Sequence, residues 1–122
     1  MVKLDHLTLF VRDYQVARDW YVNNLGLSTE FETPERFVAA LQDSAGFTLF
    51  LEQAPFLPSH PACLLYFQVD SVDQTYQRLR QQGVGFRTAP SRQFWGYGAE
   101  LADPDGYVVR LWDAASMQSK GE

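Results

Sequence analysis

A strand is expected from Lys3 to Val11, and its two-residue side-chain period puts Leu7, Leu9 and Val11 on one face and His6, Thr8 and Phe10 on the other. The period then lengthens. Asp13 is a good N-cap, and Val16, Ala17, Trp20, Tyr21 and Leu25 form one helical stripe with Arg18, Asp19 and Asn23 outward, ended by Gly26. Strands are expected at about Leu27–Glu32, Phe37–Leu41 and Phe47–Glu52, the last two joined by the turn Asp43-Ser44-Ala45-Gly46. Gln53 to Ala62 holds three prolines and no period, so it reads as a linker, with His60 a solvated loop residue. The order of elements then recurs. Strand Cys63–Val69 precedes a helix capped by Ser71 with Gln74 three residues on, its inward stripe being Val72, Thr75, Tyr76 and Leu79 and its stop Gly83. Strands at about Val84–Thr88, Tyr97–Ala102 and Tyr107–Asp113 follow, and the polar tail after Ala114 is expected to fray.

The recurrence extends to individual residues. Asp43 to Leu51 aligns without gaps to Asp103 to Leu111, sixty residues on, and His6 to Val11 aligns to Leu64 to Val69 at an offset of 58. The chain therefore reads as an α+β fold of two tandem βαβββ modules, 1–55 and 62–114, within one domain spanning 1–122. A mixed sheet should curl around a cleft with the helices on its outer face. Leu65, Phe67, Val69, Leu49, Leu51, Val109 and Leu111 should face helices. That leaves Thr48, Phe50, Glu52, Leu64, Tyr66, Gln68, Val108, Arg110 and Trp112 pointing away, a mixed polar and aromatic set that suits a cleft lining better than a solvent face.

Composition narrows the class. With 46% hydrophobic and 20% charged residues the chain is globular, and its 15% aromatic content favours a pocket for a flat ligand or simply large core side chains. A net charge of −5 argues against nucleic acid as a partner. No apolar run approaches a membrane span of roughly 18 residues, and no signal-peptide pattern opens the chain. A lone Cys63 at the start of an apolar strand forms no internal disulfide and fits packing in a reducing cytoplasm. Phosphate loops, nucleophile elbows and HExxH helices are all missing from the sequence.

Three strings carry a resemblance: Leu4-Asp5-His6-Leu7-Thr8-Leu9-Phe10-Val11-Arg12-Asp13, the helix end Trp20-Tyr21 through Leu25-Gly26, and Asp103-Pro104-Asp105-Gly106 before the last strand. Together they resemble the vicinal oxygen chelate superfamily, which includes glyoxalase I, fosfomycin-resistance proteins, extradiol dioxygenases and bleomycin-resistance proteins. The resemblance covers residues 2 to about 113 and implies paired βαβββ modules, a cleft and commonly a homodimer. In metal-using members it also implies a divalent ion held at positions that here are His6, Phe50, Leu64 and Arg110. Only His6 among these can ligate. Phenylalanine and leucine offer no lone pair, and protonated arginine repels a cation. Glu52, two residues beyond Phe50 on the same expected face, is a displaced candidate, and His6 with Glu52 falls short of the three protein ligands of a catalytic zinc. A metal or other cofactor is therefore disfavoured.

Arg110 is expected either to pair with Glu52 or to bind a carboxylate or phosphate through its guanidinium fork. Phe94-Trp95-Gly96-Tyr97-Gly98 leads into an inner strand; aromatics in comparable places of the bleomycin-resistance group stack on flat heterocycles, which the resemblance extends to Trp95, Trp112, Phe50 and Tyr66. The same rings could instead plug the cleft. The favoured reading is a metal-independent, cytoplasmic, homodimeric binder of a small flat molecule, anionic where Arg110 anchors it, with Thr8, Gln68, His6 and Glu52 as further contacts. Two readings stand against it. One is a glyoxalase-like lyase or a dioxygenase with a metal on His6 and Glu52, and with His6, Glu52 and Tyr66 as acid–base candidates; the other is an interaction protein that binds no small molecule.

Overall fold

Side-chain oxygens start both long helices where the sequence places them. The Asp13 carboxylate accepts from the N–H groups of Gln15 (2.9 Å) and Val16 (3.1 Å), and the Ser71 hydroxyl accepts from Gln74 N–H (3.1 Å). These contacts come from a computed structural model that describes residues 1–57 and 63–120, so His60 and much of the expected linker lie outside the described residues.

The chain divides into two compact units, Met1–Pro61 and Ala62–Glu122. The first contains β1 (His6–Val11), α1 (Tyr14–Leu25), β2 (Ser28–Thr33), a single 3-10 turn (Pro34–Arg36), β3 (Val38–Gln42) and β4 (Thr48–Gln53). The second contains β5 (Leu64–Gln68), α2 (Val72–Gln81), β6 (Thr88–Gln93), β7 (Gly96–Ala102), β8 (Val108–Trp112) and α3 (Ala114–Lys120). Each unit forms its own four-stranded mixed sheet, ordered β1-β4-β3-β2 and β5-β8-β7-β6. The first and last strands of each unit pair in parallel, and the others are antiparallel. The α+β class and the doubled βαβββ order are as expected.

Strand alternation sorts the side chains as read from the sequence. Leu9, Val11, Ala39, Leu41, Leu49 and Leu51 are buried with Tyr14, Ala17 and Tyr21 of α1. In the second unit Leu65, Ala99, Leu101, Val109 and Leu111 are buried with Val72 and Leu79 of α2. Two expected core residues are not core: Val16 is 52% exposed and Leu7 39%. The buried stripe of α1 runs through positions 14, 17 and 21, which turns Val16 outward. Leu7 lies near the start of the edge strand β1, while α1 lies over β3 and β4.

The second unit departs from expectation twice. The strand expected at Val84–Thr88 begins only at Thr88, because the Val84 N–H is spent closing α2 on the Leu79 carbonyl (3.0 Å) across a left-handed Gly83 (φ +87°). The tail expected to fray is helix α3. Asp113, 2% exposed, accepts from Ser116 N–H with one carboxylate oxygen and from Val72 N–H with the other, each at 2.6 Å, so it caps α3 and α2 together. Met117 then packs where Gly96 has no side chain; a Cβ there would lie 2.2 Å from its sulfur. No helix among the described residues is long and apolar enough to cross a membrane.

Candidate functional site

On the face of the second sheet turned away from its helices, β8 presents Arg110 directly across from Tyr66 of β5 and Glu100 of β7. The guanidinium donates from Nε to the Glu100 carboxylate (2.8 Å) and from Nη1 to the Tyr66 hydroxyl. Its central carbon stands 5.2 Å from the Trp95 ring centre, 5.4 Å from Tyr66 and 5.6 Å from Phe94. Trp95 and Tyr66 also meet edge to face at 5.6 Å. The indole of Trp95 needs Gly98 beneath it, since a Cβ there would come within 2.3 Å of the ring. Glu100 holds Arg110 firmly protonated, against the opposing pull of burial and with help from Tyr66. Among the described residues the two bonds leave three of the five guanidinium N–H groups without an acceptor.

Within the second unit the carboxylate beside Arg110 is Glu100. The turn at Asp103–Gly106 pairs Ala102 with Val108 and so puts Glu100 opposite Arg110. Counting back from that turn would have located Glu100 from sequence. Trp112 and Gln68 lie on the next rung of the same face. Tyr97 points the other way, its hydroxyl donating to Asp73 of α2 (2.6 Å).

In the first unit, β1 and β4 present His6, Thr8, Phe10, Thr48, Phe50 and Glu52 on the corresponding face. Phe50 is flanked edge to face by His6 (5.1 Å) and Phe31 (5.8 Å), and His6 Nδ1 lies 3.0 Å from the Asp5 carboxylate. That contact holds the Asp5 carboxyl below its usual range. Beyond Phe50 a groove of about 480 Å³ opens, lined by Phe31, Thr33, Arg36, Val38, Phe50, Glu52 and Gln53. Arg36 had not stood out in the sequence. It belongs to the 3-10 turn, which ends on Phe37 in the left-handed region (φ 56°), a conformation uncommon for a bulky residue.

The unit's two metal candidates do not share a coordination sphere. His6 is level with Thr48 and Glu52 with Phe10, four ladder positions or roughly 13 Å apart, with the Phe50 rung between them. The four positions implied by the resemblance hold an imidazole, a phenyl ring, an isobutyl group and a paired guanidinium, a donor set that does not fit a divalent cation. Among the described residues no three His, Cys, Asp or Glu side chains come together to hold one.

The Glyoxalase/Bleomycin resistance protein/Dioxygenase superfamily model matches residues 3–111. The chain belongs to this superfamily. An uncharacterized protein of Shewanella frigidimarina is 29% identical, with 94% of this chain and 93% of that protein covered. The solved structure of a possible glyoxalase from Bacillus cereus superposes with a TM-score of 0.77 at 24% identity, covering 91% of this chain and 98% of the other. A glyoxalase/dioxygenase from Nostoc punctiforme gives a TM-score of 0.72 at 25% identity, covering 91% and 90%. Superfamily membership accounts for the doubled βαβββ frame, whereas the chemistry must be argued from the side chains.

Proposed function

We propose that the protein is a metal-independent binder of a small flat molecule, of the sequestering type, rather than a lyase or dioxygenase. The observation that carries this reading is Arg110: a fixed cation on a wall of Tyr66, Phe94 and Trp95, with N–H groups to spare. A planar anion would lay its ring on the aromatics and its oxygens on the guanidinium fork. Trp112 and Gln68 extend that wall, and Phe50, Thr8, His6 and Glu52 furnish the first unit's face. Exposed Phe10, Phe31, Leu64 and Tyr66 favour a homodimer that covers part of these faces. The lone Cys63 favours a cytoplasmic setting.

Two measurements test the reading. Titration with 2-naphthoate should quench tryptophan fluorescence, and Arg110→Met should weaken the affinity by about tenfold, as loss of a charge-assisted contact predicts. Metal analysis of protein purified without chelators should give far less than one equivalent. Stoichiometric zinc, nickel, manganese or iron that disappears in His6→Ala would return the protein to the metalloenzymes.

A further inference from the structure

The sixty-residue offset pairs Val38 with Gly98, Phe50 with Arg110 and Arg36 with Gly96, so the groove of the first unit has a counterpart in the second. There the space is occupied by the protein itself. The Trp95 indole lies on Gly98 against Tyr66 and Arg110, and Met117 closes over Gly96. In the first unit Val38 floors an open groove of about 480 Å³, within the usual range for a small-molecule site, with Phe31 and Phe50 along it. Arg36 and Glu52 are the charged residues of its lining. Among the described residues neither side chain has a hydrogen-bond or ion-pair partner, including each other. Gln53 also lines the groove, but its amide oxygen is already engaged by Tyr14 N–H (3.1 Å). Recognition of charge there falls to the guanidinium and the carboxylate.

We infer that this groove binds a small zwitterion with a flat aromatic body. The ring takes over Val38 the place that Trp95 holds over Gly98 in the second unit, while a carboxylate meets Arg36 and an ammonium meets Glu52. A plain anion would satisfy Arg36 and be repelled by Glu52; a plain cation would meet the reverse. This sharpens the proposed binding function, on which it rests, by naming the ligand's charge pattern and a second anchor in a different unit from Arg110.

The probes are L-tryptophan, indole-3-propionate (no ammonium) and tryptamine (no carboxylate), titrated into isotope-labelled full-length protein and followed by amide shifts. Tryptophan should shift Phe31, Arg36, Val38 and Phe50 and bind about tenfold more tightly than either analogue, one lost charge contact each. Arg36→Gln should weaken tryptophan and indole-3-propionate about fivefold and spare tryptamine; Glu52→Gln should weaken tryptophan and tryptamine and spare indole-3-propionate. Both side chains sit at the surface, and unchanged spectra of the free variants verify folding. Equal affinity for the three probes, shifts outside the groove, no binding, or insensitivity to both variants overturns the inference. If 2-naphthoate still binds with its dependence on Arg110, the inference falls alone; if neither probe set binds, the proposed function falls with it.

Discussion

The two units share their joints and differ in what those joints display. In both, an aspartate opens the hairpin before the last strand: Asp43 accepts from Ala45 and Phe47 N–H, and Asp103 from Asp105 and Tyr107 N–H, all at 2.9 Å. Both turns pass through a glycine at φ +89°, where an L side chain would be strained. In both, a side chain at the C-terminal end of the last strand reaches back to the first N–H of the first helix, Gln53 (the last residue of β4) to Tyr14 and Asp113 (just past β8) to Val72. The outward faces diverge. Thr8, Phe50 and Ala40 form one rung in the first unit, and Tyr66, Arg110 and Glu100 form the equivalent rung in the second. The shared residues hold the turns and helix starts, so this rung can carry Phe50 beside Ala40 in one unit and the Arg110–Glu100 ion pair in the other.

The largest expected effect probes the shared cap. Asp113→Ala uncaps α3 and strands the buried first N–H of α2, for a cost of about 2–4 kcal/mol. Gln53→Ala removes one neutral cap and should cost about 1 kcal/mol. Chemical denaturation of both variants checks the ranking, and equal losses would break the distinction. Acid sharpens it further. Burial opposes ionisation of Asp113, but the N–H groups of Val72 and Ser116 outweigh it and hold the carboxyl below its usual value. The folded form therefore binds that proton less readily than the unfolded chain. Its contribution is complete above the ordinary carboxyl pKa of about 3.9 and fades as pH falls through the lower native value. Hydrogen exchange across that acid range should show α2 and α3 losing protection while the Gln53 cap on α1, which does not titrate, persists.

Next in size is the rung where the faces diverge. Arg110→Phe leaves the Glu100 carboxylate, 18% exposed, with Arg87 at 3.7 Å as its one remaining ion-pair partner among the described residues, and should cost about 2 kcal/mol. Adding Glu100→Ala writes the first unit's Phe50–Ala40 pair into the second. If the two rungs are alternative fillings of one frame, the double variant returns to within about 1 kcal/mol of the parent, and the coupling appears in a double-mutant cycle. Additive losses would mean that the frames themselves differ.

How much of this was legible depends on whether the cause is local. Asp13, Gly26, Ser71 and both Asp-to-Gly turns act within a few residues, and each could be read before folding. Alternation assigned the two faces of β1, β4, β5 and β8 correctly because its period is set by the backbone. Helix α3 escaped notice because its cap lies in the strand's last joint and its seat is the bare Cα of Gly96. Glu100 was within reach by counting register from its turn. Arg36 was not, since its place in the groove follows from the left-handed Phe37 beside it, and no pattern of residue types announces that conformation. The superfamily motifs foretold the frame over nearly the whole chain, but the face chemistry departs from the metal-binding set at three of its four positions.

The smallest effect tests a hydroxyl that only one unit possesses. Tyr97 and Phe37 are sixty residues apart and equivalent, yet Phe37 only leans its ring edge on Tyr14 (6.3 Å), whereas Tyr97 donates to Asp73 at the start of α2. That hydrogen bond, with burial and the Asp73 charge adding to it, raises the phenol to about 12. The folded state holds this proton more tightly than the unfolded chain, so the stabilisation is complete below the ordinary tyrosine pKa of about 10 and is lost as pH rises through about 12. Ultraviolet titration should show one phenol ionising about two units above the ordinary value, and that late step should be absent from Tyr97→Phe. Asp73→Asn keeps a hydrogen-bond acceptor and removes the charge, so it should bring the step down only part of the way. If the late step survives in Tyr97→Phe, some other tyrosine carries it, and the hydroxyl would no longer distinguish the second unit from the first.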